Sequence, residues 1–131
     1  MAYAPRILII DDDAGVLNLF ANVLAEDGYY VTAVATGRHA MWALRETAFD
    51  LAIVDMGLPD GDGPFLIREM LSEAPHLKVL ATSGDMAQAM RSLASLAGAT
   101  AVFGKPITPR KLRNVVYAAL DASYSWRASS A

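Results

Sequence analysis

The chain has 131 residues, of which 54% are hydrophobic, a net charge of -3 and no cysteine. This length favours one domain with room for a hydrophobic core, and the lack of cysteine excludes disulfides, thiol nucleophiles and cysteine metal sites. The slightly acidic charge gives no electrostatic footprint for nucleic acid, and no apolar run reaches membrane-spanning length, so we expect a cytoplasmic protein without membrane insertion.

The first predicted strand is the apolar run at residues 7–10, which has the composition of a parallel strand buried on both faces. It ends in three carboxylates, Asp11, Asp12 and Asp13. We expect Asp13 to serve only the start of the first helix, which the apolar spacing carries as far as Gly28. Residues 30–34 alternate as a weaker second strand, and Thr36 is the predicted N-cap of the second helix.

The third predicted strand, residues 49–54, is a nearly continuous apolar run that ends at Asp55. A dense group of turn-forming residues follows, comprising Gly57, Pro59, Asp60, Gly61, Asp62 and Gly63. Asp55 is therefore expected at the carboxyl end of a central strand, where open α/β sheets bind their ligands. A lone aspartate there could equally do no more than satisfy the loop.

The second half of the chain repeats the alternation of helices and strands. We predict a third helix, strands at residues 79–82 and 100–103, a fourth helix that ends at Gly98, and a last helix that starts at Thr108. The expected inner faces of the third and fourth helices carry Phe65, Leu66, Met70 and Leu71, and then Met86, Met90, Leu93 and Leu96 or Ala97. We expect residues 122–131 to form a flexible tail.

Five strands alternating with five helices imply an α/β domain with a mostly parallel sheet that is covered on both faces. The predicted strands end in polar residues that would share one edge of the sheet: Asp11, Asp12, Asp55, Ser83 and Lys105. Three crowded carboxylates need a neutralising cation, and hard oxygen ligands favour Mg²⁺. A carboxylate can also act as a nucleophile toward phosphorus, with a lysine and a hydroxyl in support. Taken singly, Ser83 could be a turn residue and Lys105 a surface lysine.

Four motifs resemble those of response-regulator receiver domains: residues 7–13, residues 55–63, Ser83-Gly84 and Lys105-Pro106. The resemblance covers about residues 5–121. It implies a flavodoxin-like, doubly wound sheet of five parallel strands in the order 2-1-3-4-5.

The resemblance also implies roles for the matching residues. Asp55 would accept a phosphoryl group from a sensor histidine kinase, a phosphotransfer protein or a small phosphodonor. Asp12, Asp55 and the Gly57 carbonyl would bind Mg²⁺, with Asp11 acting through a water molecule. Lys105 and Ser83 would contact the phosphate, and the Lys105-Pro106 bond would be cis. The expected function is a signalling switch that catalyses its own phosphorylation and is not a turnover enzyme.

One position departs from the pattern of receiver domains. They commonly have an aromatic residue three places before the lysine, whereas this chain has Val102 there and Phe103 one place later, which should face the other side of the sheet. The resemblance implies that an unknown downstream partner binds the face formed by the fourth helix, fifth strand and fifth helix. Met86, Met90 and Val102 are the candidate contacts, with ordinary core packing as the alternative.

Two other functions fit parts of the sequence. A phosphohydrolase of the haloacid dehalogenase type would use Asp11 as its nucleophile, but would leave Asp55, Ser83 and Lys105 without a role. A degenerate receiver would act as a constitutive binding module. The chain could work as a single-domain response regulator, as an intermediate in a phosphorelay, or as the receiver part of a longer protein.

Overall fold

A computed structural model describes residues 4–84 and 88–130. Strands and helices alternate along the chain as β1 (Arg6–Ile10), α1 (Ala14–Glu26), β2 (Tyr30–Val34), α2 (Gly37–Glu46), β3 (Leu51–Asp55), α3 (Gly63–Glu73), β4 (Lys78–Ser83), α4 (Gln88–Ala97), β5 (Ala101–Gly104) and α5 (Pro109–Ser130). All neighbouring strands are parallel, in the order β2-β1-β3-β4-β5. The predicted fold class and strand order are confirmed.

The sheet is covered on both faces because its central strands are apolar on both sides. Alternate residues of β1 enter different cores, with Leu8 facing α2, α3 and α4, and Ile9 facing α1 and α5. All five residues of β3 are buried. The apolar runs in the sequence are continuous because these strands are buried between two layers of helices, as predicted.

The helix starts agree with the sequence predictions. The Asp13 side chain accepts hydrogen bonds from two backbone N–H groups in the first turn of α1, and Thr36 accepts one at the start of α2. Thr108 Oγ1 accepts from the backbone N–H of Lys111 in α5. Gly28, just after α1, has a φ of 93°, a conformation that glycine adopts without steric cost.

The inner faces of α3 and α4 agree with the prediction only in part, with Leu66 and Met70 buried as expected. Phe65 and Leu93 are expected to face the core, but their exposed fractions are 55% and 50%. Of the alternatives Leu96 and Ala97, Ala97 is buried and Leu96 is 83% exposed. Ile67 and Ala94 are buried positions that the prediction lacks. Both helices carry apolar residues at neighbouring positions, so the helical period permits two inner faces. Burying the small alanines allows α4 to pack close to its neighbours, which leaves the leucines outside.

Two predictions concern parts of the chain that are only partly described. Met86 lies outside the described residues, and for Met90 only its backbone position in α4 is described. The last helix continues past its predicted end to Ser130, and the flexibility of residues 122–131 stays a prediction. None of the helices described here has the length and apolar character needed to cross a bilayer.

Candidate functional site

Polar residues from four strands meet at the carboxyl edge of the sheet. Asp11 follows β1, and the remaining three lie at or just after the ends of β3, β4 and β5: Asp55, Ser83 and Lys105. The strand register brings Asp55 opposite Thr82 and Ser83 opposite Gly104. The parallel sheet thus joins residues that are far apart in the sequence, as the strand endings predict.

Three carboxylates form the centre of this edge. Asp11, Asp12 and Asp55 each offer an oxygen, and these oxygens lie within 4.8 Å of one another. Asp11 and Asp55 are only 2% and 6% exposed, whereas Asp12 is exposed to solvent. Buried like charges at this spacing favour a neutralising cation, and an all-oxygen set with an open, solvated side fits Mg²⁺.

Lys105 supplies a positive charge from within the chain. Its Nζ donates a hydrogen bond to Asp11 Oδ2 at 2.7 Å and lies 3.4 Å from Asp55 Oδ2. Burial of the ammonium group lowers its pKa, but the hydrogen bond and charge of Asp11, followed by those of Asp55, outweigh burial and raise the pKa of Lys105 above its usual value. Lys105 is therefore a cation in the neutral pH range.

Backbone groups orient two of the carboxylates. Asp11 Oδ1 accepts a hydrogen bond from the Asp13 N–H at 2.9 Å, and Asp55 Oδ1 accepts one from the Gly57 N–H at 3.1 Å. The Asp13 side chain itself points to α1 as the N-cap, which confirms the structural role predicted for it. Gly57 is exposed, and a Cβ atom there would lie 3.6 Å from Asp55 Oδ1.

Ser83 and Lys105 are joined through the backbone. The Lys105 N–H donates to the Ser83 carbonyl at 2.7 Å, and the Lys105-Pro106 peptide is cis, as the resemblance implies. The Ser83 side chain is half-buried at the end of β4. Because of this hydrogen bond, a displacement of the Ser83 backbone would displace the Lys105 backbone as well.

Val102 and Phe103, which are neighbours in β5, face opposite sides of the sheet, as predicted. Val102 packs against the core on the α2, α3 and α4 side, while Phe103 packs against the α1 and α5 side. Val102 is half-buried and lines a shallow cleft of about 540 Å³ beside Arg91 and Leu96. Lys111 Nζ lies 5.5 Å from the centre of the Phe103 ring, within cation–π range.

Asp60 is predicted only as a turn former, but its side chain makes a long-range contact. Asp60 Oδ1 accepts from the Gly37 N–H at 3.0 Å and Oδ2 accepts from the Arg38 N–H at 3.1 Å, both in the first turn of α2. These two hydrogen bonds lower the pKa of Asp60 below its usual value. Nothing local to residue 60 in the sequence identifies this partner.

Comparison with known proteins agrees with this geometry. Residues 7–117 match the family described as response regulator receiver domain. The chain is 32% identical over 108 residues to the chemotaxis protein CheY of Thermotoga maritima, covering 82% of this chain and 90% of that protein. A receiver domain protein (CheY-like) from Methanospirillum hungatei has a solved structure with a TM-score of 0.91 at 30% identity, covering 94% of this chain and 98% of that one.

Longer regulators also match most of this chain. The alginate biosynthesis transcriptional regulatory protein AlgB of Pseudomonas aeruginosa is 31% identical over 108 residues, covering 82% of this chain. The match spans only 24% of AlgB. This chain therefore spans about a quarter of the length of that regulator.

Proposed function

The chain belongs to the response regulator receiver domain family of two-component signalling, and from this premise we propose that it is a switch that accepts a phosphoryl group on Asp55. Members of this family are signalling proteins and not turnover enzymes. The observation that carries the proposal is the meeting of Asp11, Asp12 and Asp55 with the Lys105 ammonium at one sheet edge.

The proposed reaction is a transfer of one phosphoryl group. An Asp55 carboxylate oxygen attacks phosphorus and forms a new O–P bond, while the bond to the donor's imidazole nitrogen or acyl oxygen breaks and its electron pair stays with the donor. A Mg²⁺ ion held by Asp12, Asp55 and the Gly57 carbonyl, with Asp11 through water, would neutralise the phosphate charge and orient the donor.

Lys105 and Ser83 would stabilise the product. Because Lys105 Nζ already lies 3.4 Å from Asp55, a small movement brings the ammonium onto a phosphate oxygen. The new group adds about -1.5 to -2 charges, which would attract the Ser83 hydroxyl as a donor. The Lys105 N–H to Ser83 carbonyl bond couples the two movements.

The proposed output surface lies beside these residues. Ser83 precedes the segment that leads to α4, and Lys105 leads into α5, so both displacements reach the face formed by α4, β5 and α5. Val102 and the exposed Leu96 lie on this face, with Met86 and Met90 as further candidates from the sequence. An unidentified downstream protein would bind there, with a coupling free energy of about 1–3 kcal/mol between phosphorylation and binding.

The donors and the setting follow from the same proposal. A sensor histidine kinase, a phosphotransfer protein or a small phosphodonor would supply the phosphoryl group in the cytoplasm. The domain would act as a single-domain regulator, as a phosphorelay intermediate or within a longer protein. Asp11 is a less suitable nucleophile than Asp55, because Lys105 Nζ lies 2.7 Å from the Asp11 carboxylate and 3.4 Å from that of Asp55, so Asp11 is the more closely paired acid. This favours the receiver over the haloacid dehalogenase type.

Intact-mass spectrometry with Mg²⁺ and acetyl phosphate tests the proposal. We expect a phosphate adduct on the wild type, and none on Asp55→Asn or on the wild type in EDTA. An adduct on both proteins would move the chemistry to Asp11 and favour a hydrolase. If the wild type acquires no adduct and binds no beryllium fluoride, the protein is a constitutive binding module and the proposal is wrong.

A further inference from the structure

The loop between β3 and α3 carries the proposed metal ligand Gly57. The Met56 N–H donates to the Thr82 carbonyl at 2.8 Å, and the Asp62 side chain accepts from the Phe65 N–H at 3.0 Å as the N-cap of α3. Met56 is buried as well. Between Met56 and Asp62, the Leu58 side chain is buried in the core, whereas Gly57, Asp60 and Gly61 are exposed, and glycine allows the backbone a wide range of conformations.

Asp60 connects the middle of this loop to a different helix. Its two oxygens accept hydrogen bonds from the Gly37 and Arg38 N–H groups, 23 and 22 residues away in the sequence. A carboxylate at the positive end of a helix dipole is well stabilised, and the lowered pKa of Asp60 agrees with this. The two segments are in contact, because a Cβ atom at Gly37 would lie 3.5 Å from Asp60 Oδ1.

We propose that Asp60 is a positioning residue of the metal site, which holds the loop so that the Gly57 carbonyl stays in place to bind Mg²⁺. The inference rests on the proposed function, because it takes Gly57 as a ligand. A ligand that must be ordered when the metal binds costs conformational entropy, whereas one held in advance does not. Releasing the loop from α2 therefore weakens metal binding without removing any ligand.

The competing explanation is that Asp60 does no more than cap α2. A capping role contributes to stability but not to metal affinity, and the chain offers a control for it. Thr36 caps the same helix by accepting from the His39 N–H at 3.1 Å, and it does not belong to the loop. Asp62 is a second control, since it carries the same charge on the same loop but caps α3.

The experiment measures Mg²⁺ affinity by isothermal titration calorimetry on the full chain and three variants, Asp60→Ala, Thr36→Ala and Asp62→Ala. Thermal unfolding of each variant measures its stability in parallel. Loss of a residue that orients a metal ligand typically costs 10–100-fold in affinity, so we expect Asp60→Ala to weaken Mg²⁺ binding about tenfold. Thr36→Ala and Asp62→Ala should lose stability and keep the wild-type affinity.

A second pair of variants tests the same contact from the side of α2. Arg38→Pro removes the N–H donor at a helix position where proline is tolerated, whereas Arg38→Ala removes the side chain and keeps the donor. We expect weaker Mg²⁺ binding for Arg38→Pro only, and little additional loss when it is combined with Asp60→Ala. This pair decides the question if Asp60→Ala does not fold.

If folded Asp60→Ala and Arg38→Pro bind Mg²⁺ with the wild-type affinity, Asp60 only caps α2 and the inference is wrong. Equal weakening in Asp62→Ala or Thr36→Ala would do the same, because charge or stability would then explain the effect. Both results would leave Mg²⁺ binding and phosphorylation of the wild type intact, and so would not touch the proposed function. A wild type that binds no Mg²⁺ would overturn both.

Discussion

Lys105 is bonded more closely to Asp11 than to Asp55: its Nζ lies 2.7 Å from the Asp11 carboxylate and 3.4 Å from that of Asp55. The ammonium group thus neutralises the more buried acid and leaves the proposed acceptor less completely paired. An incoming phosphate would compete with Asp11 for Lys105. This competition links the charge balance of the site to the position of the residue that leads into α5.

Replacing Lys105 with methionine should lower the free energy of unfolding by about 2 kcal/mol without metal, because two buried carboxylates lose their cation. We expect Mg²⁺ to restore much of that loss, since the metal neutralises the same charges. Urea unfolding in EDTA and in Mg²⁺ measures both effects. Arg113→Met, which breaks exposed ion pairs with Glu26 and Asp27, should cost less than about 1 kcal/mol in either condition. Equal losses for Lys105→Met with and without Mg²⁺ would contradict the prediction.

Two adjacent aspartates should give opposite phenotypes. Asp13→Ala removes the N-cap of α1 and should cost about 1 kcal/mol of stability, with Mg²⁺ affinity unchanged. Asp12→Ala removes an exposed member of the carboxylate cluster and should lower Mg²⁺ affinity by at least about tenfold with little loss of stability. Calorimetry and urea unfolding of the two variants separate the roles. A loss of metal affinity in Asp13→Ala would show that the division is wrong.

The pH dependence of stability should report the contact between Asp60 and α2. Because the pKa of Asp60 is lower in the folded chain, its ionised carboxylate stabilises the fold above the unfolded pKa, and this contribution disappears as the pH falls through the folded pKa. The difference in unfolding free energy between the wild type and Asp60→Asn should be constant above about pH 5 and shrink below about pH 4. Urea unfolding across this range measures it.

Thr36→Ala is the matched control for that series. It weakens the start of the same helix but removes no titratable group, so its difference from the wild type should not vary with pH. A difference for Asp60→Asn that is equally independent of pH would mean that the Asp60 charge does not contribute to the contact.

Gly63→Ala should destabilise the chain by about 1–3 kcal/mol, because a Cβ atom there would lie 2.7 Å from Met56 Cε and 3.1 Å from Met56 Cα. The backbone contact cannot be relieved by rotating a side chain. A Cβ atom at Gly61, in the loop just before α3, would meet nothing within 4 Å, so Gly61→Ala should be nearly neutral. Chemical denaturation of the two variants tests the difference. Similar stabilities would indicate that the loop shifts to accept the new side chain.

Gly57→Leu should lengthen the lifetime of the aspartyl phosphate. Gly57 is exposed beside Asp55 and does not have a positive φ, so a larger side chain can be accepted and would shield the phosphorus from water. We expect hydrolysis of the aspartyl phosphate to be about threefold slower, which corresponds to an activation free energy higher by about 0.7 kcal/mol. A time course of intact mass after removal of acetyl phosphate measures it, with Gly61→Leu as the control. The prediction assumes that the small Gly57 lets water reach the aspartyl phosphate easily. An aspartyl phosphate on the wild type that persists for many hours would contradict this assumption.

Much of the fold and of the candidate site was predictable because local patterns record it. The apolar runs at residues 7–10 and 49–54 indicate strands buried on both faces, and parallel strands place their carboxyl ends at one edge. The meeting of Asp11, Asp55 and Lys105 follows from those two facts. The N-cap residues are equally local, since a cap bonds within three residues of itself.

Tertiary packing decided what these patterns leave open. The helical period of α4 allows either its leucines or its alanines inside, and only the space beside α3 and β5 selects Ala94 and Ala97. The binding of Asp60 to α2 depends on a contact across 23 residues, and the preference of Lys105 for Asp11 depends on distances that differ by less than 1 Å. By itself, the sequence determined which elements form and which residues reach the edge of the sheet, because these depend on local composition. The hydrogen-bond and ion-pair partners of those residues depend on packing between distant segments, and only the folded chain brings those segments together.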